Sequence, residues 1–289
     1  MTMNQELKYW VGLSGFKGLG IKRLELLKKY FGSMKKIWEA KKEELIKLGI
    51  KPELAALWQR RDLDREMEEL NKGLIKVITI EDKRYPKLLK ETDSAPFILY
   101  IKGEENLLDQ PSLAVVGTRR PTGYGRSAVF RLVPELTKKL IIVSGLARGI
   151  DSLSHWQCLR SKGKTIAVLG HGLERIYPVE NQRLADVIVA GGGALVTEYP
   201  LNFPLDKTNF PLRNRIIAGL TLGTLVIEGG ERSGTKITAN FAVDYGREVF
   251  CVPGPITSLQ SEGPAQLIQQ GAKLVTKVED IWEELNLDE

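Results

Sequence analysis

The 289-residue sequence predicts an α/β protein, a doubly wound and mostly parallel sheet preceded by a small all-helical domain. Three observations predict it. Residues 5–70 place apolar side chains at helical spacing and carry almost no strand signal. From residue 113 onward, short apolar runs alternate with helical stretches. Those runs are continuous rather than alternating with polar residues, as in strands covered by helices on both faces.

In the head, Leu24, Leu27 and Tyr30–Phe31 follow a turn at Phe16-Lys17-Gly18-Leu19-Gly20. Leu45, Ile46 and Leu48 precede Gly49-Ile50-Lys51-Pro52, where Pro52 suits the first turn of a restarted helix. Two helix–glycine turn–helix units are expected within residues 1–72. Gly18 and Gly20 resemble the hairpin of small helical nucleic-acid modules, in which backbone N–H groups meet phosphate. The competing reading is a packing or docking domain. In residues 73–112, Leu74–Ile80 is a β-branched run, and Tyr85-Pro86 and Ala95-Pro96 break helices, so an extended connector is expected. Residues 113–289 form the core. Its strand candidates are Leu113–Val116, Leu140–Val143, Thr165–Leu169, Ala194–Thr197, Leu222–Ile227, Glu248–Val252 and Lys273–Val275.

Size and composition exclude several classes. At about 100–200 residues per domain the length suits two domains. A hydrophobic content of 43% rules out wholesale disorder. No apolar run approaches the roughly 18–20 residues of a membrane span, and the start MTMNQELKYW is not a secretion signal. Cys158 and Cys251 form neither a close metal pair nor a disulfide framework, and two histidines argue against His-rich metal chemistry. A cytoplasmic protein without structural metal or cofactor is expected. The net charge of +6 is uneven. Residues 1–112 hold 22 basic and 18 acidic side chains, 113–236 hold 17 and 9, and 237–289 hold 3 and 9. The middle segment is therefore a candidate anion-binding face, with scattered solvated charge as the plain alternative.

Ligands of an open parallel sheet bind beyond the carboxyl ends of its strands, so the residues after each strand are informative. After the first core strand come Gly117, Thr118, Arg119 and Arg120, then Thr122, Gly123, Tyr124, Gly125 and Arg126. The second is followed by Ser144-Gly145-Leu146-Ala147-Arg148-Gly149-Ile150-Asp151, and the third by Gly170-His171-Gly172 and then Tyr177-Pro178-Val179-Glu180-Asn181. Glu198-Tyr199-Pro200 follows the fourth, with Phe210-Pro211-Leu212-Arg213-Asn214-Arg215 later, and Glu228 to Lys236 follows the fifth, including Arg232, Ser233, Gly234 and Thr235. Glycine lets the backbone approach a phosphate, hydroxyls and helix-start N–H groups donate to it, and arginine offers a planar fork. Several such loops on one sheet edge point to an anionic ligand.

Neither G-x-G-x-x-G after the first core strand nor G-x-x-x-x-G-K-[ST] is present, which disfavours NAD and P-loop nucleotides. Cradles spread over several strands suit a chain of phosphates. Tyr124, Tyr177, Tyr199 and Phe210 lie among them, and either stack on unpaired bases or anchor the loops. Catalytic signals are thin. Asp151 and His155 share a helical face, but a carboxylate at a helix start beside a packed imidazole explains them equally. Ser144 is not in a G-x-S-x-G elbow.

Taken together the loops resemble the DNA-processing protein A family, also called Smf. The resemblance rests on Gly117-Thr118-Arg119 with Tyr124-Gly125, on Ser144 to Asp151 with His155, and on Tyr177-Pro178 with Glu180-Asn181. It continues through Thr197–Pro200, Phe210-Pro211-x-Arg213-Asn214-Arg215 to Leu220, Ser233-Gly234-Thr235, and Gly246 to Phe250 with Val252-Pro253-Gly254. It covers about residues 85–270. It implies an extended Rossmann-like fold behind a head of SAM or helix-hairpin-helix type. The implied activity is non-enzymatic: a homodimeric recombination mediator that binds single-stranded DNA, protects it, and helps load the recombinase RecA during natural transformation.

The family's DNA pocket carries over to Gly117, Thr118, Arg119 and the Tyr177-Pro178 and Asn181 loop. The loop argument adds Arg120, Tyr124, Gly125, Ser144, Gly145, Arg148, Gly170, Arg213, Asn214, Arg215, Ser233, Gly234, Thr235 and Lys236. The family often has lysine where Val179 stands, and Arg183 is the nearest replacement. The sequence reaches Glu289 without the winged-helix domain of some members, so duplex binding through such a domain is not expected. Two alternatives compete. A nucleotide-processing hydrolase of the lysine-decarboxylase-like Rossmann group would use Glu228 as its acid, but Gly229-Gly230 and Gly234-Thr235 are spaced differently from that group's Gly-Gly-x-Gly-Thr loop. A protein-interaction scaffold would present the acidic segment after residue 237 to the recombinase.

Overall fold

Continuous apolar runs from residue 112 onward assemble as parallel strands, because both of their faces find helices to cover them. The computed structural model describes residues 3–287 apart from Gln59 and Arg232. The head contains α1 (Met3–Ser14), α2 (Ile21–Phe31), α3 (Met34–Glu39), α4 (Lys42–Lys47), α5 (Pro52–Leu57) and α6 (Leu63–Lys72). The body follows as β1 (Ile75–Thr79), α7 (Lys87–Lys90), β2 (Ile98–Gly103), β3 (Ser112–Val116), α8 (Gly123–Leu136), β4 (Ile141–Ser144), α9 (Ile150–Arg160), β5 (Thr165–Val168), α10 (Gln182–Ala190) and β6 (Ala194–Thr197). It closes with α11 (Asn209–Gly219), β7 (Gly223–Val226), α12 (Gly234–Asp244), β8 (Glu248–Cys251), α13 (Glu262–Gln269), β9 (Lys273–Leu274) and α14 (Glu279–Glu284).

The strands form one nine-stranded sheet in the order β1-β2-β6-β5-β4-β3-β7-β8-β9. From β6 to β9 every pairing is parallel. Successive strands step one way from β3 to β6, then the chain returns to place β7 on the other side of β3. This reversal between β3 and β7 is the point where a doubly wound sheet opens a crevice for ligand. Neighbouring side chains on β3 go to opposite layers, as the pleat requires. Leu113 and Val115 pack with Val129, Leu132, Val133 and Leu136 of α8, whereas Ala114 and Val116 pack with Ile216 and Ile217 of α11 and Ala239 of α12. Each fully buried aliphatic side chain contributes roughly 1.5–3 kcal/mol relative to exposure.

Residues 73–112, expected as a connector or extension of the core, contribute two strands to the sheet. β1 and β2 pair antiparallel, with Ile75 opposite Lys102 and Thr79 opposite Ile98, and β2 pairs antiparallel with β6. Pro96 ends before the strand begins, so its missing N–H removes no ladder bond, and the carbonyl of Pro96 accepts from the buried Tyr85 hydroxyl at 2.5 Å. In the head, the turn at Phe16–Gly20 joins α1 to α2, and Pro52 opens α5. A further break separates α2 from α3, where the Ser33 hydroxyl accepts from Lys36 N at 3.3 Å and caps α3.

The head packs on the sheet rather than standing apart from it. One cluster runs from Trp10, Phe16, Trp38 and Trp58 into Phe97, Ile98 and Tyr100 of the body, with Phe16 stacked on Trp58 at 4.7 Å between ring centroids. Among the described residues, no helix is long and apolar enough to cross a membrane, and no group of three His, Cys, Asp or Glu side chains is placed to hold a metal. Both cysteines are buried and unbridged. Tyr100 of β2 is fully buried, and its hydroxyl meets Ser14 Oγ of α1 at 2.7 Å. Tyr100→Phe should lower the unfolding free energy by about 1 kcal/mol in urea titration, since one buried neutral hydrogen bond is lost without a cavity. An unchanged midpoint would show that this bond does not hold the head to the sheet.

Candidate nucleic-acid interface

The crevice lies where the chain's reversal predicts. Its volume is about 580 Å³, and it is lined by the loop after β3, the start of α12 after β7, and one face of α11. The two loops are joined directly. Thr118 N donates to the Glu228 carbonyl at 2.7 Å, which fixes the end of β3 against the end of β7. The loop before α9 closes on the same place. Ile150 N donates to Thr118 O at 3.1 Å, and Gly149 has φ +81°, with a Cβ there only 2.2 Å from that carbonyl. Only glycine fits both that conformation and that approach.

Arg213 lies under the floor and is 5% exposed. Its Nη1 donates to Gly145 O at 2.6 Å and to Val168 O, and its Nε donates to Asn214 Oδ1 at 3.2 Å. Asn214 Nδ2 in turn donates to Gly234 O at 3.2 Å, at the start of α12. Burial pulls the Arg213 pKa down to about 10, with nearby Asp151 acting in the opposite sense. Asp151 accepts from Gly145 N at 3.1 Å and Ala147 N at 3.4 Å, and burial raises its pKa against those bonds and Arg213. Behind it, His155 is fully buried and shares a 2.7 Å hydrogen bond between Nδ1 and Thr165 Oγ1. The carboxylate-at-helix-start and packed-imidazole reading describes both residues.

Above the floor the character changes. Arg119, Arg120 and Lys207 are exposed, line the crevice, and have no side-chain hydrogen bond or ion pair among the described residues. Ser233 precedes α12 without a side-chain cap bond, its hydroxyl instead meeting Thr235 Oγ1. Gly234 and Thr235, the first residues of that helix, line the crevice with no side-chain cap on their amides, which suits an anion. Tyr177 and Phe210 form the far wall, with ring centroids 5.7 Å apart.

Of the candidate residues, Gly117, Thr118, Arg119, Arg120, Tyr177, Arg213, Asn214, Ser233, Gly234 and Thr235 line this crevice. Arg213 does so from below, as a support for the loops. The others are placed differently. Ser144 is fully buried and donates to Val115 O at 2.7 Å. Gly145 covers Arg213, with a Cβ position 2.3 Å from its Nη2, and Gly170 is buried against the Phe210 ring. Asn181 is buried and donates to Leu146 O at 2.8 Å, while Pro178 beside it is also buried. Arg148 pairs with Glu180, Arg215 with Glu198 at 2.6 Å, and Lys236 donates to Gln266 Oε1 at 2.8 Å. Arg183 is exposed on α10, outside the crevice lining. Tyr124 and Gly125 are outside the crevice lining, the phenol donating to Pro253 O and the glycine lying against Glu228. Arg232 lies outside the described residues. Lys207 was not among the candidates, because its loop has no glycine to mark it; its place before the Phe210-Pro211 pair is the signal available in the sequence.

A profile of the family described as DNA recombination-mediator protein A matches residues 76–286. The chain belongs to this family. Among curated relatives, DNA processing protein DprA of Bacillus subtilis is 46% identical over 213 residues, covering 73% of this chain and 71% of that protein. Protein Smf of Escherichia coli is 47% identical over 210 residues, which span 72% of this chain but only 56% of the relative. The solved structure of DNA processing protein A from Streptococcus pneumoniae superposes with a TM-score of 0.82 at 36% identity, covering 98% of this chain and 99% of that one. DNA processing protein A from Helicobacter pylori, solved for its single-stranded DNA binding mode, matches with a TM-score of 0.65 at 30% identity over 74% of this chain and 97% of that one. The family assignment and the extended Rossmann-like fold expected from the loops thus hold.

His155 gives this family member a measurable pH signature. Burial, reinforced by Arg213, lowers its pKa from 6.5 to about 3. The folded state favours the neutral ring, so its contribution is intact above about pH 6.5 and is lost as pH falls toward 3. His155→Gln should flatten the acid-side fall in unfolding free energy across that window, read by denaturant titration at each pH. A slope identical to that of the parent chain would place the acid sensitivity elsewhere.

Proposed function

We propose that this chain binds single-stranded DNA in the crevice and acts as a recombination mediator, protecting incoming DNA during natural transformation and helping to load RecA onto it. The observation that carries this reading is the set of cations unpaired among the described residues, Arg119, Arg120 and Lys207, around an open crevice walled by Tyr177 and Phe210. Cations that have found no carboxylate partner are free for phosphate, and aromatic faces accept any base that is not already stacked in a duplex. The Helicobacter pylori relative, described for its single-stranded DNA binding, supports the same ligand class. In this reading residues 1–72 are a helical docking head and residues 73–289 the DNA-binding body, and the working form is a cytoplasmic homodimer.

No catalytic residue is assigned. Glu228, the acid of the hydrolase alternative, is buried, and its two carboxylate oxygens accept from Thr122 N at 2.9 Å and Thr122 Oγ1 at 2.5 Å. That carboxylate ties α8 to the end of β7 rather than facing substrate.

Arg119→Ala and Lys207→Ala should each weaken oligo-dT binding by about 1 kcal/mol, roughly fivefold, in fluorescence anisotropy. Each should also reduce the slope of log K against log salt by about 0.7. Arg183→Ala should leave both unchanged. Equal affinity for duplex and single strand, or an indifferent Arg119→Ala, would overturn the assignment. For the recombinase, Glu279→Lys with Glu283→Lys should slow RecA filament formation on single-stranded DNA while sparing oligo-dT affinity. Unchanged loading would remove the acidic segment from the recombinase contact.

A further inference from the structure

Next to the crevice, the segment that ends at its lining residue Gln260 carries apolar side chains that the core does not use. Residues 253–260 connect β8 to the turn before α13, and Gln260 lines the crevice. The segment is pinned at both ends. Gly229 N donates to Gln260 O at 2.8 Å, and the Tyr124 hydroxyl donates to Pro253 O. Its interior is also held, with Ser258 N donating to Pro255 O at 3.0 Å and Ser261 N to Ser258 O at 2.9 Å. Yet between the anchors Ile256 is fully exposed and Leu259 is 72% exposed. A folded loop here holds two aliphatic side chains out in water beside a cationic crevice.

The neighbouring chemistry identifies what covers them. Arg119, Arg120, Lys207 and the α12 amides address phosphates on the crevice floor. In the single-strand reading, bases beyond those that the Tyr177 and Phe210 wall accommodates extend past Gln260 toward this segment. Unpaired bases have apolar faces that gain from such cover, whereas the bases of a duplex are stacked and paired inside it. We propose that Ile256 and Leu259, with the Tyr124 ring, form an apolar lip that contacts unpaired bases and so discriminates single strand from duplex. This rests on the single-strand reading above and assigns it a base-contacting surface outside the crevice floor.

The test uses the full chain carrying Ile256→Ser with Leu259→Ser, titrated with oligo-dT and with an abasic deoxyribose-phosphate oligomer of equal length. Oligo-dT affinity should fall about tenfold while the abasic oligomer binds as before and the salt slope stays unchanged. Ile256→Trp should strengthen oligo-dT binding alone, because a larger flat face is offered to the same bases. Equal oligo-dT affinity, or an equal loss on both ligands, overturns the lip. So does a parent dimer that becomes monomeric in the double variant by light scattering, which would make the loop a contact between copies of the chain. If the parent chain fails to bind oligo-dT at all, the single-strand reading falls first; if it binds and Arg119→Ala weakens it while the lip variant does not, only the lip falls.

Discussion

Beneath the crevice, the guanidinium of Arg213 joins the carboxyl ends of β4 and β5 through the carbonyls of Gly145 and Val168. Through Asn214 the same helix reaches the first residue of α12. Three strand-end loops therefore take their positions from one turn of α11. A buried cation is costly unless its donors are met and a negative charge lies near, and here two carbonyls, one amide oxygen and the field of Asp151 meet it. Such a set holds together only as a whole. The glycine at 145 is part of it, since any Cβ would enter the guanidinium. The loops are thus placed before ligand arrives, and little conformational freedom remains to be lost on binding.

This arrangement explains why a segment's net charge is a poor guide to its potential. The middle segment holds 17 basic side chains. Arg148 and Arg215 are neutralised by glutamates, Lys236 is turned toward α13, and Arg213 is inside the protein. What reaches the crevice unpaired among the described residues is Arg119, Arg120 and Lys207, the last from a loop otherwise marked by aromatic and proline residues. The difference between loops rich in arginine and an anion site is made by which partners the fold supplies.

The parallel core was legible in the sequence because strands buried on both faces leave continuous apolar runs, and β3 to β8 fall close to those runs. β2 was not, because Ala95-Pro96 reads as a breaker and the pattern alone does not show that Pro96 lies just outside the strand, separated from its first residue Ile98 by Phe97. The strand-end loops were legible as a group, but the direction of each side chain was not. Ser144 and Asn181 have the right chemistry for phosphate and turn it on backbone carbonyls instead. Arg213 had a visible signal: Phe210, Arg213 and Ile217 stand at i, i+3 and i+7, which puts the arginine on the inward stripe of α11. Residue type suggested the surface, and helical period placed it underneath.

In the proposed reading, Arg119, Arg120 and Lys207 are the cations, among the described residues, that meet the phosphates of a strand. Each phosphate neutralised on a single strand steepens the salt dependence by only about 0.7 in the log–log slope. These three contacts alone therefore supply a limited share of the affinity through released counterions. The α12 amides add donors that carry no mobile counterion, because their partial charge belongs to the backbone. The remaining discrimination has to come from the bases, since phosphates are present in duplex and single strand alike. In the proposed reading, the aromatic wall at Tyr177 and Phe210 and the exposed aliphatic side chains at 256 and 259 supply surfaces for unstacked bases.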